Sequence, residues 1–179
     1  MVEIKVREVM SKNPLFVESS MNLWEAVKAM VQRGISTMII VENNVPVGIL
    51  TDRDIVVKVV ARGLDPTEVK VSDIMTKPIV VINADDTLER AATLMAKKKI
   101  RKLPVIENNK IIGLLSENDI VRIAPTILEI IEEREKMKGE VEYKEKEYLA
   151  GRCENCGEFS TELLYVNGKY LCPVCRGVG

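Results

Sequence analysis

The stretch GILTDRDIV at residues 48–56 places a threonine and an aspartate three positions apart, where an apolar run changes to a helical pattern. The same arrangement returns as GLLSENDIV at residues 113–121, 65 positions later. A hydroxyl residue followed three positions later by an acidic residue is the pattern of a capping box, whose side chains bind free amides at a helix start. Each stretch therefore predicts a strand that leads into a capped helix, and the two together indicate a duplication.

The duplication extends over roughly the first 124 residues. At the offset of 65, a leucine, an alanine, a methionine and an isoleucine recur in the same order. The matched pairs are Leu23 and Leu88, Ala26 and Ala91, Met30 and Met95, and Ile35 and Ile100. The openings VMSKNP and IMTKP, at residues 9–14 and 74–78, also correspond. Self-similarity at a fixed period is typical of repeated supersecondary units, so this part of the chain is interpreted as two copies of one unit.

Each unit is predicted to contain its elements in the order β-α-β-β-α. The helices are expected at residues 22–33 and 87–98, and the buried face of the second is predicted to consist of Leu88, Ala91, Ala92 and Met95. Pro46 interrupts the first hairpin and indicates an edge or a bulge. One unit cannot bury both faces of its sheet alone, so two copies should pack together through their sheets in an α/β (α+β) fold.

Composition bounds the class of function. The chain of 179 residues has a net charge of −1 and contains no histidine. Proteins that bind nucleic acid or acidic membranes by bulk charge are usually basic, so the charge balance supports neither. Histidine is the commonest general base, and we expect no enzymatic activity from a chain that lacks it.

The N-terminal stretch MVEIKVREVM is charged from its third residue and lacks the apolar core of a signal peptide. No apolar run approaches the length of a membrane span. We therefore expect a cytoplasmic protein without a membrane partner.

All four cysteines lie in the last 27 residues, in the pattern CxxC-x15-CxxC. The predicted metal ligands are Cys153, Cys156, Cys172 and Cys175. Four thiolates at this spacing suit a tetrahedral zinc ion, and they leave no coordination position for an activated water. Between the pairs, Asn167-Gly168 predicts the turn of a β-hairpin. A fragment this small has little apolar core, so metal binding is expected to supply its folding energy.

The duplicated unit, with its helix-start pattern of glycine, two apolar residues, Thr or Ser, two variable residues and Asp, resembles a tandem pair of cystathionine β-synthase (CBS) domains. The unit openings and KLPVIE at residues 102–107 support this resemblance. Pairs of this family commonly bind AMP, ADP, ATP or S-adenosylmethionine in clefts between the repeats and regulate an attached domain or a partner. Carried over, the resemblance implies phosphate contacts from Thr51 and Ser116 and ribose contacts from Asp54 and Asp119. It also implies an apolar site for the base, flanked by Ile35, Ile79 and Ile100.

The two implied sites are not expected to be equal. Arg101 and Lys102 of the second repeat correspond to Ser36 and Thr37 of the first, so the second site gains two cations that could face phosphate. The first site has Arg53 where the second has an asparagine. We therefore predict that the second repeat forms the tighter phosphate site. Both tetrads are also explained by helix capping alone, and the two roles are compatible.

The last 30 residues or so resemble a zinc ribbon, and the paired knuckles also look like those of rubredoxin, an iron protein. The intervening loop is shorter than in typical rubredoxins, which favours zinc over iron. The sequence therefore predicts four regions: repeats at 1–65 and 66–124, a helical and charged linker at 125–150, and a four-cysteine ribbon at 151–179.

Three functions fit these regions. The first is a regulatory sensor, in which an adenine-nucleotide site is coupled through a helix at residues 125–139 to a metal-ribbon interaction domain with an unknown protein partner. The second is an iron electron-transfer protein gated by nucleotide. The third is a nucleic-acid-associated regulator that uses the ribbon, although the ribbon's charges cancel and its aromatic residues are more typical of a small core. Family pairs often associate, so a homodimer through the CBS pairs is expected.

Overall fold

The structure, a computed structural model, describes residues 3–123 and 148–177. These residues form two compact units, each built from two separate parts of the chain. The first-repeat unit combines residues 14–79 with residues 148–177, and the second-repeat unit combines residues 3–13 with residues 80–123. The predicted linker helix at residues 125–139 lies outside the described residues.

After short opening elements that were not predicted, the helices and strands of each repeat follow the predicted β-α-β-β-α order, and the mixed α/β class is confirmed. The first repeat contains α1 (Val6–Val9), β1 (Ser11–Lys12), β2 (Phe16–Glu18), α2 (Leu23–Arg33), β3 (Thr37–Glu42), β4 (Val45–Thr51) and α3 (Asp52–Lys58). The second repeat contains α4 (Val71–Ile74), β5 (Ile79–Asn83), α5 (Leu88–Lys98), β6 (Lys102–Glu107), β7 (Lys110–Ser116) and α6 (Glu117–Arg122). The C-terminal module, residues 148–177, contains β8 (Tyr148–Arg152), β9 (Phe159–Val166) and β10 (Lys169–Leu171). Short 3₁₀ turns lie at Val60–Arg62 and Val174–Arg176. Within the described ranges, no helix is both long and apolar enough to cross a bilayer.

In both repeats, a parallel strand pair and an antiparallel hairpin form one sheet. Strand β2 pairs parallel with β3, and β3 pairs antiparallel with β4. Strands β5, β6 and β7 repeat this arrangement. Each hairpin contains a bulge, after Ile40 in the first and after Val105 in the second. The bulge predicted near Pro46 is therefore confirmed. It is a feature of both repeats and does not require the proline, because β7 has no proline and its hairpin contains an equivalent bulge.

The apolar stripes of α2 and α5 supply equivalent parts of two cores. The buried residues of these helices are Leu23, Ala26 and Met30 in the first repeat and Leu88, Ala91 and Met95 in the second. Ala92, which was predicted on the buried face, is exposed instead. Ala92 lies at the edge of the apolar stripe, and its short side chain does not reach the core. The longer side chain of Leu94 is partly buried and packs against the core.

The opening segment of each repeat packs in the unit of the other repeat. Val6 of α1 is fully buried in the core of the second-repeat unit, and β1 pairs with β7. Val71 and Ile74 of α4 are buried in the core of the first-repeat unit. The repeat boundaries 1–65 and 66–124 follow from the duplication in the sequence and stay predictions. Each compact unit contains residues from both repeats.

Candidate functional site

Both repeated tetrads form the predicted capping box. The Thr51 amide donates to Asp54 Oδ2 at 3.0 Å, and the Asp54 amide donates to Thr51 Oγ at 3.2 Å. In the second repeat, the Ser116 amide donates to Asp119 Oδ2 at 2.8 Å, and the Asp119 amide donates back to the serine hydroxyl at 3.2 Å. Each hydroxyl also donates to the carboxylate of its own box. The helix-capping interpretation of these residues is therefore confirmed in both repeats.

The antiparallel hairpins place a second polar residue beside each box. Thr37 lies directly opposite Thr51 in the strand register, and Lys102 lies opposite Ser116. Thr37 is only 5% exposed, and its hydroxyl has no hydrogen-bond partner among the described residues. A buried hydroxyl without a partner costs free energy, but the Thr37 oxygen is closed to solvent, so no ligand reaches it in this structure. Lys102 is half-buried and brings the cation predicted for the second site next to its box.

Lys58, which was not predicted from the sequence, neutralises the Asp54 carboxylate in the capping box of the first repeat. The Lys58 ammonium lies 2.8 Å from Asp54 Oδ1, and it also donates to the Ile74 carbonyl at 2.7 Å and to the Thr76 hydroxyl at 3.2 Å. Partial burial raises the pKa of Asp54, but hydrogen bonds from Lys58 and Thr51 outweigh it and hold that pKa below its usual value. The i,i+4 spacing of Asp54 and Lys58 was a usable signal for this pair.

The second repeat lacks this neutralising group. The position equivalent to Lys58 is Ile123, and within residues 3–123 and 148–177 the structure gives Asp119 no ion pair. Thr76 approaches Asp54 Oδ1 at 3.4 Å only because the opening segment of the second repeat packs in the first-repeat unit. No local pattern in the sequence could have indicated that contact.

The other predicted ligand residues are two equivalent isoleucines, two arginines at non-equivalent positions, and Ile79. Ile35 and Ile100 follow the ends of α2 and α5, are partly buried, and pack against the core of their own unit. Arg53 and Arg101 are exposed, and the carbonyl of Arg101 accepts a hydrogen bond of 3.0 Å from the amide that starts α6. Ile79 is fully buried at the start of β5, so no part of its side chain is open to a ligand in this structure.

The four cysteines converge on one point in the C-terminal module. Their sulfur atoms all lie within 4.8 Å of one another, and the sulfurs of Cys156 and Cys172 are 3.8 Å apart. A tetrahedral zinc site with Zn–S bonds of about 2.3 Å has sulfur–sulfur edges of about 3.8 Å, so the donor set fits such an ion. The β9–β10 hairpin brings the two pairs together by turning at Asn167 and Gly168, both with positive φ, which confirms the predicted turn.

Two of the four cysteines, Cys153 and Cys156, have a shifted pKa. Burial raises the pKa of Cys153, but backbone amides of Cys156, Cys172 and Asn155 outweigh it and lower that pKa to about 6. A backbone hydrogen bond from Glu158 lowers the pKa of Cys156, while burial and the neighbouring cysteines raise it to about 12. Four sulfurs this close cannot all ionise without a positive charge among them, and a divalent metal ion would supply it.

Comparison with known proteins agrees with the repeat architecture. An uncharacterized protein of Methanopyrus kandleri is 36% identical over 180 residues, which cover 98% of this chain and 92% of that protein. A solved CBS domain pair in complex with 5′-methylthioadenosine and S-adenosyl-L-methionine matches with a TM-score of 0.64 and 26% identity, over 70% of this chain and 99% of that one. A hexameric CBS-CP12 protein from bloom-forming cyanobacteria matches with a TM-score of 0.65 and 31% identity, over 74% of this chain and 81% of that one.

Each of the two repeats also matches a protein-family model on its own. The family model of the CBS domain matches residues 6–61 and again residues 71–125. These ranges contain both capping boxes and all the helices and strands described for the repeats. With this double match and a relative similar over nearly its whole length, the chain belongs to the CBS-domain family and carries two CBS domains in tandem.

Proposed function

We propose that this protein is a regulatory ligand sensor that binds an adenosine-type ligand, AMP, ADP, ATP or S-adenosylmethionine, at its CBS pair. Proteins with CBS pairs are generally regulatory ligand sensors, and one structural neighbour is a complex with two adenosine-containing molecules. The observation that carries the proposal is the repeated box of a hydroxyl and a carboxylate, each beside a further polar residue. Hydroxyls and cations suit phosphate, and a carboxylate suits the hydroxyls of ribose.

The second repeat is proposed as the stronger site because its carboxylate has spare capacity. An ionised carboxylate offers about four acceptor positions. Asp54 uses both oxygens, since Thr51 binds one while Lys58 and Thr76 bind the other. Among the described residues, Asp119 binds only Ser116, through Oδ2. Its Oδ1 is therefore free to accept hydrogen bonds from ribose, and Lys102 and Arg101 would face phosphate on the same repeat.

In the first repeat, the proposed contact comes from Thr51, with Arg53 exposed two positions after it. Ile35 and Ile100 are proposed to flank the base. We leave Ile79 out of the site, because its complete burial would have to be undone first.

The Asp119→Asn variant is expected to lose nucleotide affinity by ~10–100-fold, because a hydrogen bond to a charged group contributes roughly 1.5–3 kcal/mol. Asp54→Asn should lose less, since Lys58 already neutralises that carboxylate. Asparagine retains an oxygen that can cap the helix, which limits the loss of stability. Calorimetric titration of the full chain with AMP, ADP, ATP and S-adenosylmethionine measures both effects. If no compound binds, or if both variants bind like the wild type, the proposed site is wrong.

We propose further that the four-cysteine module binds zinc and serves as an interaction domain for a protein partner. The donor set favours zinc or iron over metals that prefer oxygen ligands, and the spacing of the pairs favours zinc. No catalytic role is proposed, since the full coordination of such an ion by sulfur leaves no position for a substrate or water.

A homodimer is proposed from the exposed apolar residues of the last helix in each repeat. Val56 of α3 and Val121 of α6 occupy equivalent positions, and each is more than half exposed. Val57 and Val60 extend the first patch. Apolar patches that water would otherwise contact are typical of self-association surfaces. We expect sedimentation equilibrium to give twice the chain mass, and the double variant Val56→Glu/Val121→Glu to give the mass of one chain; a wild-type mass of one chain would contradict the proposal.

A further inference from the structure

An arginine holds the end of the central hairpin in the second-repeat unit. Arg7 of α1 donates to the Glu107 carboxylate at 2.8 Å and to Asp85 at 2.9 Å. Glu107 is the last residue of β6, so this contact joins the opening segment to the end of the β6–β7 hairpin. The glutamate is kept in the first repeat as Glu42, but the arginine is not, because position 72 is a serine.

In the first-repeat unit, the C-terminal module supplies the missing arginine. Arg152, the last residue of β8, donates from Nη2 to the Glu42 carbonyl at 3.0 Å. Its Nε lies 3.8 Å from the Glu42 carboxylate and is buried without a hydrogen-bond partner among the described residues. The side chains of this ion pair are 36% and 43% exposed, so the carboxylate contact contributes little, and the bond to the carbonyl is the main one.

The same guanidinium also binds the first cysteine loop. Nη1 of Arg152 donates to the Gly157 carbonyl at 3.2 Å. Gly157 directly follows Cys156, and Arg152 directly precedes Cys153. The loop is closed by a hydrogen bond of 2.9 Å from the Cys153 amide to the Glu158 carbonyl. One side chain therefore joins the hairpin of the first repeat to the loop that carries two of the four sulfurs.

The position of Arg152 depends on the folding of that loop. The buried apolar cluster of the C-terminal module consists of Leu163 together with Cys153 and Cys172, and Ala150 is also buried. In a core this small, in which two buried side chains are potential metal ligands, we expect the loop not to stay in place without the ion, because ordering each residue costs about 1–2 kcal/mol. Without metal, Arg152 would lose the carbonyl of Gly157 and with it the geometry that directs Nη2 to Glu42.

We propose that Arg152 docks the metal-closed cysteine module onto the first CBS repeat, so that metal occupancy controls the stability of the β3–β4 hairpin. The cysteine module thus contacts a segment of its own chain, besides any separate protein partner. This inference rests on the proposed metal binding. It gives a direct route from the metal site to the first repeat, whose β4 strand ends at Thr51.

Hydrogen exchange of the full chain, measured by mass spectrometry with zinc bound and after chelation under reducing conditions, tests the inference. Removing zinc should speed exchange in residues 37–51 by about tenfold, the effect of losing one hydrogen bond to a charged group. Residues 102–116, the equivalent hairpin, should not respond. In Arg152→Gln, which keeps all four cysteines and should still bind one zinc, residues 37–51 should exchange fast with or without zinc. The matched control Arg7→Gln should speed exchange in residues 102–116 and leave the zinc response of residues 37–51 intact.

Metal analysis of the same samples distinguishes failure of the docking inference from failure of the proposed metal binding. One zinc per chain with no response in residues 37–51 would overturn the docking inference and leave metal binding standing. A wild-type response in Arg152→Gln would overturn the role of Arg152. A chain that binds no zinc would overturn the proposed metal function and the docking inference together.

Discussion

Replacing Cys153 with serine, or removing the metal with a chelator, is expected to unfold the C-terminal module while both CBS domains stay folded. Structural zinc contributes roughly 10–16 kcal/mol to small zinc-binding folds, which is as large as the whole stability of a typical domain. Each CBS repeat has its own apolar core of many residues, whereas the buried apolar residues of the module, among those described, are one leucine, one alanine and two cysteines. We therefore expect the module to lose its folded structure completely. The two CBS repeats should stay folded and lose only their contacts with the module.

Metal analysis, together with zinc titration followed by nuclear magnetic resonance of residues 148–177, measures this effect. We expect one zinc per chain in the wild type and at least ~100-fold weaker binding in Cys153→Ser, since an uncharged hydroxyl replaces one of four thiolates. Val174→Ala is the matched control, because Val174 lies between two of the cysteines but is 80% exposed. Wild-type zinc affinity in Cys153→Ser would show that the ion is bound elsewhere. Visible absorbance that bleaches on reduction would identify iron in place of zinc.

The Gly113→Ala variant is expected to destabilise the protein by about 2–3 kcal/mol, and the equivalent Gly48→Ala by about 1 kcal/mol. A Cβ atom at Gly113 would lie 2.6 Å from the sulfur of Met10 and 2.9 Å from the carbonyl oxygen of Ser11. At Gly48 the three nearest atoms, from 2.5 to 3.2 Å, all belong to the side chain of Met75. A methionine side chain can rotate away, but the Ser11 carbonyl lies in β1, which is paired with β7, so the backbone has to move.

Urea unfolding of the single variants measures the two costs, and second substitutions separate their causes. Met75→Ala should relieve most of the clash in Gly48→Ala, so this pair of changes should be less than additive. Met10→Ala should relieve only part of the clash in Gly113→Ala, because the carbonyl contact remains. Equal costs for the two glycines, or full relief by Met10→Ala, would contradict this account of how the opening segments pack.

The binding residues divide into those that local pattern could indicate and those that it could not. Thr51, Asp54, Ser116 and Asp119 were found because a capping box is a relation between residues three positions apart. Lys58 was missed, although its spacing of four from Asp54 is also local. Thr37 was named only as the counterpart of Lys102, and its unpartnered hydroxyl emerges from the burial of β3. Thr76 comes from the other repeat, so nothing near Asp54 in the sequence pointed to it.

By itself, the sequence determined the duplication, the order of helices and strands, both helix caps and the convergence of four cysteines. These features depend on spacings of a few residues, which the geometry of helices, turns and metal ligands restricts strongly. Only the tertiary structure decided that α1 packs in the second-repeat unit and α4 in the first-repeat unit. It also decided that Asp54 is neutralised while Asp119 has no ion pair among the described residues, and that Arg152 takes the place of Arg7 against the first hairpin. The two repeats offer nearly identical apolar faces, so local pattern cannot specify which segment covers which face. That choice is made by contacts between residues far apart in the chain, such as those of Arg7 with Glu107 and of Arg152 with Glu42.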